Sequence, residues 1–291
     1  MGEKVVASSM AKRKSVLDWA SPINSALGVV AGAKHPYRLV LVDEKGKFKG
    51  ILSARRILEI LLGKRGRAIR EGKGLKAILS EPIRMVIDES HQVFTTETSA
   101  STVLKFMVEN MAGYVIIVDA SNNYVGIIEE VDLLQRCRGM RLGIEVRKFM
   151  KPNVCVTPLS STILEAAEMM LNERVRRLPL VTDGKVAGIV TISDVVRHIF
   201  SRTERLEALN TNGRLEDLLS EPIEGICRRE VIACREEIDI GDAIEIALEK
   251  DISGLVVMND LGELKGIISR IDMIVGLARS IGADTLVGMM K

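Results

Sequence analysis

Gly188-Ile189-Val190-Thr191-Ile192-Ser193-Asp194 is the clearest of four related phrases in the chain; the others begin Gly50-Ile51-Leu52-Ser53, Gly126-Ile127-Ile128-Glu129 and Gly266-Ile267-Ile268-Ser269. Each follows an apolar run and a polar turn, as in Leu178-Pro179-Leu180-Val181 followed by Thr182-Asp183-Gly184-Lys185. Each leads into a helical pattern such as Asp194 to Phe200. The repeated unit is therefore strand, hairpin, strand, helix.

A repeat of this size cannot bury both faces of its own sheet, so its copies stack on one another. The four glycines are 76, 62 and 78 residues apart, a long-short-long alternation that indicates duplication of a two-repeat unit. A second segment supports this: Leu75-Lys76-Ala77-Ile78-Leu79-Ser80-Glu81-Pro82-Ile83 recurs 140 residues later as Leu215-Glu216-Asp217-Leu218-Leu219-Ser220-Glu221-Pro222-Ile223. Repeats 1 and 2 are expected to form one module, residues 15–135, and repeats 3 and 4 a second, residues 136–280, in an α/β (α+β) architecture.

Within this frame Leu39 to Val42 and Phe48 to Leu52 are the hairpin strands of repeat 1, whose first strand is poorly marked. Repeat 2 has helical apolar spacing from Ser101 to Asn110 and strands at Val115 to Val118 and Val125 to Ile128. In repeat 3, Val154-Cys155-Val156 reads as a strand and Thr162 as an N-cap with Glu165 three residues on. Leu164, Ala167, Met170 and Leu171 make one helical face there. Repeat 4 follows the same plan through Val231-Ile232-Ala233, Ala243 to Leu248, Leu255 to Met258 and Leu264 to Ile268. Ser201 to Gly213 and the basic, glycine-rich stretch from Lys64 to Gly74 read as linkers.

The 291 residues are 47% hydrophobic and 27% charged, which fits two globular domains and not a disordered chain. Apolar runs such as Tyr114 to Val118 fall far below the ~20 residues of a membrane helix, and the N-terminus lacks a signal-peptide apolar region. The expected location is the cytoplasm, with no membrane partner. Four cysteines, Cys137, Cys155, Cys227 and Cys234, lack metal-ligand spacing, and no metal is expected. A net charge of +2 and 3% aromatic residues supply neither the basic footprint nor the stacking platforms of a nucleic-acid binder. Local basic stretches remain, from Lys64 to Lys73 and at Arg136, Arg138, Arg141, Arg147 and Lys148. The three histidines, His35, His91 and His198, are not paired with a nucleophile, so catalysis is not expected.

The copies diverge where each hairpin hands over to a helix. Repeat 3 reads Thr191-Ile192-Ser193-Asp194, repeat 4 Ser269-Arg270-Ile271-Asp272, repeat 2 Glu129-Glu130-Val131-Asp132, and repeat 1 Ser53-Ala54-Arg55-Arg56. A hydroxyl followed three positions later by a carboxylate can simply cap the helix. Alternatively the hydroxyl and exposed amides accept a phosphate, while the two carboxylate oxygens take the vicinal hydroxyls of a ribose. The residues alone leave both readings open.

Tandem strand-helix-strand-strand-helix units ending in Gly-apolar-apolar-[Ser/Thr]-x-x-Asp resemble cystathionine-β-synthase (CBS) domains, over nearly all of Ser15 to Leu277. The resemblance implies repeats paired through their sheets into Bateman modules, whose clefts bind adenosyl ligands such as AMP, ADP, ATP or S-adenosylmethionine. Four repeats in one chain resemble the γ subunit of AMP-activated protein kinase, in which two modules form a disc. Carried over by position, the family pattern implies Asp194 and Asp272 as ribose carboxylates, with Thr191, Ser193 and Ser269 beside them. It implies Val154, Val156, Thr157 and Pro158 in repeat 3, and Val231, Ala233 and Cys234 in repeat 4, as borders of the adenine. Arg176 and Arg177 match positions set against phosphates. Asp132 keeps the carboxylate in repeat 2, but Glu129 puts a negative group where the family has Ser or Thr, and in repeat 1 Arg56 replaces the carboxylate. The ligand is therefore expected mainly in the second module, with an adenine nucleotide ranked above S-adenosylmethionine.

The function expected on these grounds is that of a non-enzymatic, adenine-nucleotide-binding regulatory and energy-sensing protein. Its output would pass through an unidentified protein partner or through self-association, for example as a homodimer. Two alternatives stay open: a structural interaction scaffold with vestigial clefts, and polynucleotide binding through the basic linkers.

Overall fold

Four three-stranded sheets of one plan organise the chain, as seen in a computed structural model that describes residues 5–33, 38–87, 91–209 and 215–290. Repeat 1 comprises β1 (Val16–Asp18), α1 (Ile23–Gly32), β2 (Arg38–Val42), β3 (Phe48–Ser53) and α2 (Ala54–Leu61). Two short helices, α3 (Arg67–Arg70) and α4 (Leu75–Ser80), lead to repeat 2, with β4 (Val93–Thr95), α5 (Ala100–Glu109), β5 (Tyr114–Val118), β6 (Tyr124–Glu129) and α6 (Glu130–Arg136). Repeat 3 has β7 (Thr157–Pro158), α7 (Ile163–Asn172), β8 (Arg177–Thr182), β9 (Lys185–Thr191) and α8 (Ile192–Leu209). After α9 (Leu215–Leu219), repeat 4 has β10 (Ala233–Cys234), α10 (Ile240–Glu249), β11 (Gly254–Met258), β12 (Leu264–Ser269) and α11 (Arg270–Ile281), and α12 (Ala283–Met289) follows.

In every sheet the short first strand lies parallel to the first hairpin strand, and the hairpin is antiparallel. Each ladder ends on the residue that opens the next helix, opposite Arg38 in repeat 1, Tyr114 in repeat 2, Arg177 in repeat 3 and Gly254 in repeat 4. The segment leading into one repeat crosses the hairpin of its sequence neighbour: Lys12 pairs with Ile127, Lys151 with Ile267 and Arg228 with Ile189. This crossing explains the glycine of the recurrent phrase. A Cβ at Gly126 would lie 3.2 Å from the Lys12 carbonyl oxygen, at Gly188 3.0 Å from that of Arg228 and at Gly266 2.9 Å from that of Lys151. A side chain would push the crossing strand away.

The same crossing corrects two expected strands. Val154 to Val156 and Val231-Ile232 are not in a ladder; the strands begin at Thr157 and Ala233, because the residues before them run over the neighbouring repeat. Two expected linkers are also structured. Helix α8 runs on to Leu209, through most of the Ser201 to Gly213 stretch, whose residues 210–213 lie outside the described residues. The basic stretch after α2 forms a 3₁₀ turn at Lys64–Gly66 and then α3, and the Arg70 guanidinium donates to the carbonyls of Ile60 and Leu62 at the end of α2. Orphan carbonyls of a helix C-terminus are thereby satisfied. In the second basic connection Arg138 pairs with Glu245 at 2.9 Å and Arg141 with Asp242 at 2.6 Å, so carboxylates of α10 already meet part of that charge.

Three apolar clusters hold these pieces. Leu27 and Ile57 of repeat 1 share a core with Met170 and Ile199 of repeat 3. Leu104 and Leu134 of repeat 2 share another with Ile244 and Ile274 of repeat 4. The sheets of repeats 1 and 2 meet through Val40, Phe48, Ile116 and Tyr124. Helices thus join the two halves, while sheets join neighbours. Ile51 and Ile127 are buried in the first sheet pair, whereas Ile189 and Ile267, at the same places in the second, stay half-buried.

Since one core contains residues from both halves, Leu27→Ala is expected to lower stability by about 2–5 kcal/mol within a single unfolding transition. Two separated transitions in a thermal scan would contradict the shared core.

Candidate functional site

The recurrent carboxylates sit at the third position of α6, α8 and α11, and in all three one oxygen has the same duty. Oδ2 of Asp132 accepts from the Glu129 amide at 2.9 Å, Oδ2 of Asp194 from Thr191 N at 2.9 Å, and Oδ2 of Asp272 from Ser269 N at 2.9 Å. The Thr191 hydroxyl adds a bond to Asp194 Oδ2 at 2.6 Å, and the Ser269 hydroxyl donates to Asp272 Oδ2. These are capping boxes, built by a side chain that reaches back to an orphan amide at the helix start. Capping therefore uses one oxygen, and what meets the other decides whether a ligand can use it.

That second oxygen differs in the three repeats. Asp132 Oδ1 lies 2.7 Å from Lys12 Nζ. Asp194 Oδ1 accepts from Arg197 at 3.1 Å and Arg228 at 3.2 Å, which leaves this carboxylate fully engaged. Arg197 also donates to the carbonyls of Ala31 and Ala33 at the end of α1, each at 3.4 Å, so Asp194 belongs to a contact between halves. Asp272 Oδ1 has only the Lys151 ammonium in reach among the described residues, at 3.7 Å, beyond hydrogen-bonding distance.

Asp272 borders a cavity of about 300 Å³. Lys151, Asn153, Val154 and Cys155 come to it from the crossing segment of repeat 3, and Arg174, Arg176 and Arg177 from the end of α7 and the start of β8. Ser253, Ile267 and Ser269 to Asp272 come from repeat 4. The first half contributes Arg55, Met111, Gly113 and Glu130. Six basic side chains therefore share this wall with two carboxylates, Glu130 and Asp272.

Several of these cations lack an internal counter-ion. Arg177 donates to the Ser253 carbonyl at 2.9 Å and hydroxyl at 2.8 Å. No carboxylate among the described residues lies within 4.0 Å of Arg176 or Arg177. Burial, followed by the neighbouring Arg176, pulls the Arg177 guanidinium down to about 10. Arg176 lines the cavity and is exposed; desolvation and then Arg38 lower its pKa too. Arg270, 5% exposed, reaches Asp251 at 3.2 Å, but its Nε is buried without a hydrogen-bond partner. A buried donor without an acceptor, as at Arg270 Nε, is unfavourable, and an anion in the cavity would relieve it.

The equivalent place in the first half is neutralised from within. Arg38 occupies the ladder position of Arg177, and it donates to Glu129 at 2.6 Å and to Glu130 at 3.2 Å while lying 5.0 Å from the Tyr114 ring centre. Burial opposes its charge, but Glu130 and Glu129 together outweigh burial and raise its pKa. Lys14 pairs with Glu129 from the crossing segment.

Of the residues singled out in the sequence, Val154, Arg176, Arg177, Ser269 and Asp272 come together at the cavity. Thr191, Ser193 and Asp194 lie at the start of α8, near Arg228, and Asp132 lies under Lys12. Thr157 is buried with its hydroxyl 2.8 Å from that of Ser161, and Pro158 is exposed. Val156, Val231 and Ala233 are half-buried. Cys234 packs in the core shared by repeats 2 and 4, where burial pushes its thiol up to about 12. Arg55, Arg174, Glu130 and Arg270 were not singled out as ligand contacts. A trace of Glu130 and Arg270 exists in the chain, since they are the charged residues directly after Glu129 and Ser269. No metal-holding cluster is present among the described residues, and no helix among them is long and apolar enough to cross a membrane.

Residues 21–63, 82–139, 146–201 and 223–279 each match the CBS domain family, and the chain belongs to that family. It is similar to an uncharacterized 33.4 kDa protein in a ribosomal RNA operon of Thermofilum pendens, 29% identical over 260 residues, 88% of this chain and 85% of the relative. Protein MJ1225 of Methanocaldococcus jannaschii is 26% identical over 250 residues, 83% of this chain and 88% of that protein. The crystal structure of MJ1225, described as a proposed archaeal homolog of g-AMPK, superposes with a TM-score of 0.83 at 22% identity in the structural alignment, covering 93% of this chain and 99% of that one. The four-repeat fold is thus shared across nearly the whole chain.

Asp194→Ala is expected to lower stability by about 1 kcal/mol through loss of the cap and to leave the Asp272 cavity intact. A loss of bound ligand as large as that of Asp272→Ala would contradict this. Gly254→Ala places a Cβ 1.9 Å from Arg177 Nη1 and 2.7 Å from the Ile268 carbonyl oxygen. Overpacking of this kind is expected to cost about 1–3 kcal/mol, read as a lowered midpoint of thermal unfolding.

Proposed function

We propose that this chain is a non-enzymatic regulatory protein that binds an adenine nucleotide in the cavity beside Asp272. The observation that carries the reading is the pairing of an open Asp272 Oδ1 with cations that have no internal carboxylate, Arg176 and Arg177, and with the buried, unpartnered Nε of Arg270. A carboxylate oxygen accepts ribose hydroxyls, and guanidinium groups hold phosphate oxygens. Val154 and Ile267 offer apolar surface to the base. A volume of about 300 Å³ is at the small end of ligand pockets and suits a single mononucleotide. The excess of basic side chains favours a phosphate over the sulfonium of S-adenosylmethionine.

In this reading residues 15–135 and 136–280 are the two modules, and the ligand touches both. Arg55 of repeat 1 lines the cavity and donates to the Arg174 carbonyl of repeat 3 at 3.1 Å. A ligand that binds one arrangement of the halves more tightly shifts the balance between arrangements, and a partner protein reads the outcome. The scaffold alternative applies to the Asp132 and Asp194 clefts, whose carboxylates are already taken by Lys12 and by Arg197 with Arg228.

Calorimetric titration of nucleotide-stripped protein with AMP, ADP, ATP and S-adenosylmethionine tests the reading. One nucleotide per chain is expected, with binding lost in Asp272→Ala and kept in Asp132→Ala. Saturable binding with equal losses in both variants, or no binding at all, would refute it.

A further inference from the structure

Glu130 is the cavity carboxylate that caps no helix. It is the first residue of α6, as Arg270 is of α11, so the two duplicated halves place opposite charges on the same cavity at equivalent positions. Glu130 is 7% exposed, and its buried Oε2 makes no hydrogen bond, although Arg38 Nη2 stands 3.1 Å away. Arg38 also donates to Glu130 Oε1 at 3.2 Å and serves Glu129 at 2.6 Å, so Glu130 shares its counter-ion while Oε2 keeps no hydrogen bond. Gly113 keeps the wall thin here: a Cβ at that position would lie 2.7 Å from Arg38 Nη2 and 3.1 Å from Glu130 Oε2.

The cavity wall carries both signs of charge. The Glu130 charge acts on both Arg176 and Arg177. Asp272, Arg176, Arg177 and Glu130 line this one cavity, so a phosphate chain that starts from a ribose on Asp272 and follows the cations shares the space with Glu130. The cations suit a first phosphate; each further one adds negative charge to a cavity that already holds Glu130. In a partly desolvated cavity such like-charge approach is strongly unfavourable, and it acts on specificity by raising the cost of the wrong ligand.

Resting on the nucleotide reading of this cavity, we propose that Glu130 is a specificity-determining residue that limits how many phosphates the site accepts, setting AMP ahead of ATP. The neighbouring half of the chain, not the half that holds the ribose, thereby chooses the ligand.

Titrations of AMP and ATP into wild type and Glu130→Gln, at one ionic strength and without magnesium, test this. Glutamine keeps the shape and removes the charge. ATP is expected to gain on the order of tenfold in affinity while AMP changes by less than about twofold. In wild type, excess magnesium is expected to narrow the gap between the two ligands, a measurement that does not depend on the variant folding. An ATP-to-AMP affinity ratio that is the same in Glu130→Gln as in wild type, or a gap that magnesium leaves unchanged, overturns the role of Glu130 while the site stands. Absence of nucleotide binding in wild type, or binding that survives Asp272→Ala, overturns the site and this inference together.

Discussion

A three-stranded sheet with strands of two to seven residues has two faces and covers little of either by itself. One face takes the repeat's own helices and those of the equivalent repeat in the other half; the second must find another sheet. In the first half this is complete, with Val40, Phe48, Ile116 and Tyr124 closing the gap between sheets. In the second half Ile189 and Ile267 remain half-buried. The need to cover both faces also routes each lead-in segment across its neighbour's hairpin, where the recurrent glycine makes room for it. Strand ends, helix starts and crossing segments consequently converge on the same few clefts.

Helix capping at these clefts occupies only one oxygen of each carboxylate. Oδ2 satisfies a backbone amide in each of three repeats, and this need is local and always present. Oδ1 points away from the cap and takes whatever the tertiary structure brings: a lysine from the crossing segment at Asp132, two arginines at Asp194, a distant ammonium at Asp272. The same sequence phrase thus yields two self-satisfied ion pairs and one accessible acceptor.

The halves diverge most in how they neutralise an arginine at the start of a hairpin. Arg38 is held by Glu129 and Glu130, at the positions of Ser269 and Arg270, which supply no carboxylate to Arg177. Internal charge pairing serves Arg38 and leaves Arg177 with no carboxylate within 4.0 Å among the described residues. The sign of a few residues at the first turn of a helix separates a self-paired arginine from one without an internal carboxylate.

The repeat, its hairpins, the handover to each helix and the capping pairs were legible in the chain because they are set by neighbours: apolar period, turn residues and a hydroxyl three positions before a carboxylate. The recurrent glycine and the duplication at a spacing of 140 residues fixed the family resemblance for the same reason. The first strands were placed too early at Val154 and Val231, since an apolar run crossing another repeat has the composition of a strand without its ladder. Nor could spacing distinguish Asp194 from Asp272, whose surroundings come from residues 34 and 121 positions away, Arg228 and Lys151. Arg55 and Glu130 lie in the opposite half of the chain from the carboxylate they accompany. Local sequence determines which groups are available at a helix start, while packing of distant repeats determines which of them keep a free oxygen or an unmatched charge.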